Sequence, residues 1–157
     1  DERCVPSDDA RSNEKLIRER LLTNRASVAQ YVPLYVPGRE PEAALAEVET
    51  LLAPVLPLSV LVLGMGEDMH TASLFPGMAG LLDALDSHAP TLAVARTDAQ
   101  PEPRITLTGP VLDGALSKHL VIFGASKREA LERAMTLPPE EAPISAVLRG
   151  MTVHWAE

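Results

Sequence analysis

With 157 residues, 46% of them hydrophobic and 23% charged, the chain has the make-up of a globular domain rather than of a disordered or fibrous protein. A formal net charge of −8 excludes the broad basic face that nucleic-acid binding needs, so an anionic ligand must be held by cations gathered locally. The single cysteine, Cys4, excludes an internal disulfide, and with no signal peptide or long apolar span to read, the expected setting is cytoplasmic with no membrane partner.

The chain opens at Asp1 in "DERCVP", which reads as the end of a strand with none before it, so the expectation is a chain lacking an N-terminal portion. Leu16, Ile17, Leu21 and Leu22 then share one helical face, with Ser12 placed as N-cap. A Pro-rich connector over 33–41 leads into "EPEAALAEVETLLAPV", whose strong helix formers predict a helix that Pro54 stops. Residues 58–64, "LSVLVLG", form the unbroken apolar run of a strand buried on both faces. "TLAVARTD" predicts another strand, "RITLTGPVLDGA" a strand or turn entering a helix, and "KHLVIFG" an apolar strand closing on Gly124. "ASKREALERAMTL" predicts a helix with Ser126 as cap, Leu131 and Met135 on one face, and a stop at Pro138 and Pro139. "ISAVLRG" reads as a short helix and "MTVHWA" as a final strand. Strands alternating with helices at crossover spacing imply an α/β fold, a mainly parallel sheet flanked by helices, as one domain over residues 1–157.

The chemistry concentrates in "LGMGEDMHTASLFPG", residues 63–77, at the carboxyl end of the strand over 58–64, where α/β sheets bind ligands. Gly64 and Gly66 allow a tight backbone path, and a helix starting near Thr71 would offer free N–H groups to an anion. An imidazole titrates near neutral pH, so His70 is the natural base, with Asp68 placed to orient its ring. The same Asp-x-His also builds ordinary loop turns, and both readings stand on the residues alone. A metal held by Asp68 and His70 needs a third ligand that no spacing supplies, and no Gly-x-Ser-x-Gly elbow surrounds Ser73 as a nucleophile. His88, His119 and His154 stand alone and read as structural, Trp155 as a core or edge anchor, and the cations between Arg11 and Arg25 as a solvated helix face with Glu14 and Glu19.

Four motifs in order, "DERCVP" with "SNEKLIRERLL", "LGMGEDMHTASLFPG", "RITLTGPVL" and "GASKREAL", resemble the 6-phosphogluconolactonases within the wider group of sugar-phosphate isomerases and deaminases. The resemblance implies a Rossmann-like fold, incomplete at the N-terminus, where the family carries a Gly-Gly-Ser-Thr-Pro-like phosphate loop. It implies His70 as general base, Asp68 as its neighbouring acid, and Arg3, Arg104 and Lys127 with Gly66 as the binding set for a phosphorylated sugar lactone. It implies no cofactor and no metal, and it leaves the oligomeric state open. The implied reaction is hydrolysis of 6-phospho-D-glucono-1,5-lactone in the pentose phosphate pathway. A glucosamine-6-phosphate deaminase-like isomerase is the enzymatic alternative, against which stands the Ser73-Leu74-Phe75-Pro76 that follows the histidine here. A non-catalytic sugar-phosphate-binding homologue or fragment is the other. Met69 stands where the family carries glycine, so a requirement there for positive φ would strain the loop.

Overall fold

The computed structural model describes residues 1–98 and 101–157. In chain order it comprises β1 (Glu2–Arg3), α1 (Asn13–Arg20), α2 (Pro41–Leu52), β2 (Leu61–Leu63), α3 (Leu81–Leu85), β3 (Leu92–Ala95), β4 (Arg104–Leu107), α4 (Gly109–Asp113), β5 (Lys118–Phe123), α5 (Ala125–Ala134) and β6 (Thr152–Ala156). Among the described residues no helix is long and apolar enough to cross a membrane.

β2, β5 and β6 form the expected parallel sheet with β5 in the centre, Leu61 lying opposite Lys118 and Val121 opposite His154. A second sheet was not foreseen: β1, β4 and β3 pair antiparallel in that order. The cause lies in the connection. Only the eight residues 96–103 separate β3 from β4, too few for the helical crossover that parallel neighbours need. Both sheets meet the residue 63–77 stretch: β2 leads into it, and the Ser73 N–H donates to the Thr106 hydroxyl of β4 at 3.2 Å.

The core is built by one face of the parallel sheet. Leu61, Leu63, Leu120 and Ile122 pack with Leu74, Phe75, Leu112 and Ile144, while α2 seals the antiparallel sheet through Val48 and Leu52 against Leu92 and Ile105. The expectation that 58–64 is buried on both faces does not hold, because Val60 and Val62 point away from this core and are exposed. Leu16 on α1 and Leu21 at its C-cap are exposed as well, so this apolar stripe does not form part of either cluster.

Ser12 caps α1 by accepting from the Lys15 N–H at 3.2 Å. At α5 the cap residue is Gly124 at φ 83°, and Ser126 turns its hydroxyl to Glu67 instead. The buried stripe of α5 is Ala130, Leu131 and Ala134, with Met135 exposed. Within "ISAVLRG" only a 3-10 turn forms, at Pro143–Ala146. His119 and His154 are not solitary: Nδ1 of one lies 3.0 Å from Nε2 of the other across β5 and β6. Trp155 is an edge anchor, its indole N–H donating to the Gly124 carbonyl at 3.0 Å with the Arg128 guanidinium over the ring.

One buried carboxylate ties β1 to α1. Glu2 accepts from the N–H groups of Arg3, Asn13 and Glu14 at 2.7, 2.8 and 2.6 Å and from the Ser12 hydroxyl at 3.2 Å. Two of those N–H groups belong to the first turn of α1, which has no carbonyl partners of its own to give them and carries the positive end of the helix dipole. Glu2→Gln turns an NH2 toward these donors and lowers the free energy of unfolding by about 2 kcal/mol. Urea denaturation checks this, and an unchanged midpoint would contradict it.

Candidate active site

The stretch after β2 is folded back on itself by its own hydrogen bonds. Gly66 N–H donates to the His70 carbonyl and Met69 N–H to the Gly66 carbonyl, both at 3.0 Å, and the Thr71 hydroxyl donates to the Gly64 carbonyl at 2.8 Å. No helix starts near Thr71; Thr71 and Leu74 close a turn by a single bridge, and α3 begins only at Leu81. Gly64 has neither a positive φ nor any neighbour that a Cβ would meet, so it is not the constrained glycine. Gly66 is: a Cβ there would run into the Asp68 carboxylate and the His70 ring at once.

Over that bare Cα the acid and the imidazole meet. Asp68 Oδ1 lies 2.6 Å from His70 Nδ1 and also accepts the His70 backbone N–H at 3.2 Å. A carboxylate can only accept, so the hydrogen-bond network assigns the proton of the neutral ring to Nδ1 and leaves Nε2 as its proton acceptor. The ring is further fixed by Phe75, whose centroid is 4.5 Å away. Met69 has φ +66°, the left-handed conformation, and Ala72 follows at φ +50°. Such residues cost of order 1 kcal/mol each and persist where surrounding contacts over-determine them. Here the Met69 carbonyl accepts from Ile144 N–H at 3.2 Å and its side chain packs on the core.

His70 faces a cleft of about 440 Å³ whose lining also includes Gly66, Arg104, Lys127, Asp1 and Asn13. Arg104, at the start of β4, is buried, with its guanidinium 5.4 Å from the Phe75 ring centroid and 3.6 Å from Asp1 Oδ2. Burial lowers its pKa from the ordinary value, and the neighbouring Arg3 lowers it further. Glu102 and Glu2 act in the opposite direction, and because an arginine stays protonated in proteins the group at this wall of the cleft is a cation. Lys127 sits in the first turn of α5. Of the residues expected from sequence, His70, Gly66, Arg104 and Lys127 line one cleft and Asp68 stands behind the imidazole.

Arg3 does not line the cleft. Its guanidinium donates to the Arg11 carbonyl and to Asn13 Oδ1 at 2.9 and 2.8 Å, with Glu102 at 4.0 Å, so it meets the cleft through Asn13. Ser73 is buried and its hydroxyl donates to Asp1 Oδ2 at 2.8 Å, not to His70. Burial pushes the Cys4 thiol up to about 11, which removes it as a nucleophile at neutral pH. Among the described residues no group of three or more His, Cys, Asp or Glu could hold a metal ion. Sequence reasoning missed Phe75, which touches both His70 and Arg104, and Asp1 and Asn13 in the lining. An aromatic five positions after a candidate base was the only available signal for the first; the other two are set by folding of β1 and α1 against β4.

Fold and site together define an α/β protein with an imidazole–carboxylate pair at a sheet end and cations across a cleft. The family model described as glucosamine-6-phosphate isomerases/6-phosphogluconolactonase matches residues 1–155, and the chain belongs to that family. A 6-phosphogluconolactonase of Rhizobium meliloti strain 1021 is 40% identical, the match covering 99% of this chain and 70% of the relative. One from Pseudomonas aeruginosa is 41% identical over 99% of this chain and 67% of its own. The crystal structure of a 6-phosphogluconolactonase from Shewanella baltica OS155 superimposes with a TM-score of 0.93 at 34% identity, covering 99% of this chain and 69% of that one.

Gly66→Ala forces the Asp68 carboxylate and the His70 ring apart. The downfield Nδ1 proton signal of His70 in the NMR spectrum is therefore lost in this variant, while its persistence unshifted would show that the contact does not depend on the bare Cα.

Proposed function

We propose that this chain hydrolyses 6-phospho-D-glucono-1,5-lactone to 6-phospho-D-gluconate, as a cytoplasmic enzyme of the pentose phosphate pathway. The observation that carries the reading is the joint lining of one cleft by His70, backed by Asp68, and by Arg104 and Lys127. Guanidinium and ammonium groups suit a phosphate, and they supply locally the positive charge that a chain of net charge −8 lacks as a whole. Arg3 acts in this reading by orienting Asn13, not by touching phosphate itself.

The chemistry follows from one base. With the phosphate anchored, the lactone carbonyl is presented to a water lying against His70 Nε2. The imidazole takes a proton as the water oxygen bonds to the carbonyl carbon, giving a tetrahedral oxyanion. The bond from that carbon to the ring oxygen then breaks, and the imidazolium returns its proton to the departing oxygen, which becomes a hydroxyl of the open chain. Asp68 holds the ring in the tautomer that presents Nε2 and stabilises the imidazolium between the two transfers. A cyclic ester is reactive enough for positioning and a single base to suffice; the imidazole ends as it began, and the new carboxyl group gives its proton to solvent to leave the carboxylate.

A second reading, a sugar-phosphate binder without turnover, is favoured by one observation only, the left-handed Met69 beside the base. Turnover assays separate the two. His70→Ala lowers kcat on the phospholactone by about 10³-fold and Asp68→Asn by about tenfold or more. Lys127→Ala raises KM by about tenfold with a smaller effect on kcat, since it removes binding shared by ground and transition state. Full activity of the His70 variant would remove the proposed base, and ammonia release from glucosamine 6-phosphate would assign the site to a deaminase instead.

A further inference from the structure

The base and the lysine sit on different segments, and the distance between them is not fixed by either alone. His70 belongs to the loop after β2; Lys127 belongs to α5, which follows β5. β2 and β5 are neighbours in the parallel sheet, so the loop and the start of α5 emerge side by side at its carboxyl end. What joins them there is Glu67. Its Oε1 accepts from the Ser126 hydroxyl at 2.8 Å, one residue before Lys127, and its backbone carbonyl accepts from the Arg133 guanidinium at 3.4 Å. α5 therefore grips Glu67 twice, by side chain and by backbone. On the other side, Glu67 adjoins Gly66, whose N–H is bonded to the His70 carbonyl and whose own carbonyl takes the Met69 N–H.

We infer that Glu67 is a positioning residue that sets the separation of the catalytic imidazole from the phosphate-binding lysine, an inference that rests on the lactonase reading of this cleft. Glu67 is not among the residues that line the cleft, and it acts through the segment it holds. It is also well placed electrostatically, since the cap residue of α5, Gly124, contributes no side-chain bond and an anion at that helix start meets the positive end of the dipole. The α5 surface thus binds the base-bearing loop in a fixed register with its own Lys127. A reactant held by its phosphate presents its carbonyl to Nε2 only while that register is kept, and displacements on the order of an ångström cost catalysis heavily.

The test compares two lactones. With 6-phospho-D-glucono-1,5-lactone, Glu67→Ala and Ser126→Ala each lower kcat by about tenfold, while Glu67→Gln, whose amide oxygen still accepts the Ser126 hydroxyl, retains activity within about threefold. With D-glucono-1,5-lactone, which has no phosphate for Lys127 to hold, wild type and all three variants hydrolyse at the same rate. In a Lys127→Ala background, Glu67→Ala has no further effect on the phosphorylated substrate. Equal losses on both lactones, together with a lowered unfolding midpoint, would mark a merely structural role and overturn the inference, as would a fully active Glu67→Ala enzyme. Loss of the lactonase reading itself shows separately, as wild-type protein without turnover or a His70→Ala variant that keeps it.

Discussion

The site depends on a side chain that is missing. At Gly66 the backbone passes beneath the Asp68 carboxylate and the His70 ring, and any Cβ would occupy the space where they meet. The 2.6 Å contact they make there decides which imidazole nitrogen is free, and so decides what the ring can do. The rest of the loop serves this contact: Gly66 and His70 are bonded through their backbones, Thr71 is pinned to Gly64, and Ile144 holds the carbonyl of Met69. Met69 carries the cost, with φ +66° in a residue that has a Cβ. A tight loop is thus stabilised from several sides so that two titratable groups stay in register.

Charge is arranged with the same economy. The chain is acidic overall, yet Arg104 is buried in the wall of the cleft that His70 lines, and Phe75 touches both groups. The Phe75 ring lies 4.5 Å from the imidazole centroid and 5.4 Å from the guanidinium, so one apolar side chain packs against both groups. Asp1 accepts from the Ser73 hydroxyl at 2.8 Å and lies 3.6 Å from Arg104, offsetting part of its charge. The arrangement comes from both sheets: β2 and β5 lead to His70 and Lys127, and β4 carries Arg104.

Much of this was legible in the sequence because it is local. The helix over α2, the apolar strands β2 and β5, the Ser12 cap and the crowding of Asp68 and His70 after a strand all follow from spacing and residue type within a few positions. What was not legible depends on long-range pairing. The short connection between β3 and β4 dictates their antiparallel pairing, but the addition of β1 to β4, about 100 residues away in sequence, is a choice that no local pattern reveals. Ser126 looked like a cap because it is a hydroxyl at a helix start, but Gly124 takes the cap position and Ser126 is drawn to Glu67, 59 residues away. Arg3 was grouped with the phosphate cations by resemblance, and its place beside Asn13 is set by the antiparallel register of Arg3 with Arg104. The exposure of Val60 and Val62 was equally invisible, since an apolar run does not state which of its faces this chain covers.

The joint lining of one cleft by His70, Arg104 and Lys127 is what gives the residues a joint meaning. A crystal structure with 6-phosphogluconate bound tests it most directly. The expected result places the phosphate on Arg104 and Lys127 and the carboxylate that was the lactone carbonyl within hydrogen-bond reach of His70 Nε2. A phosphate on the imidazole, or a sugar acid bound away from this cleft, would contradict it.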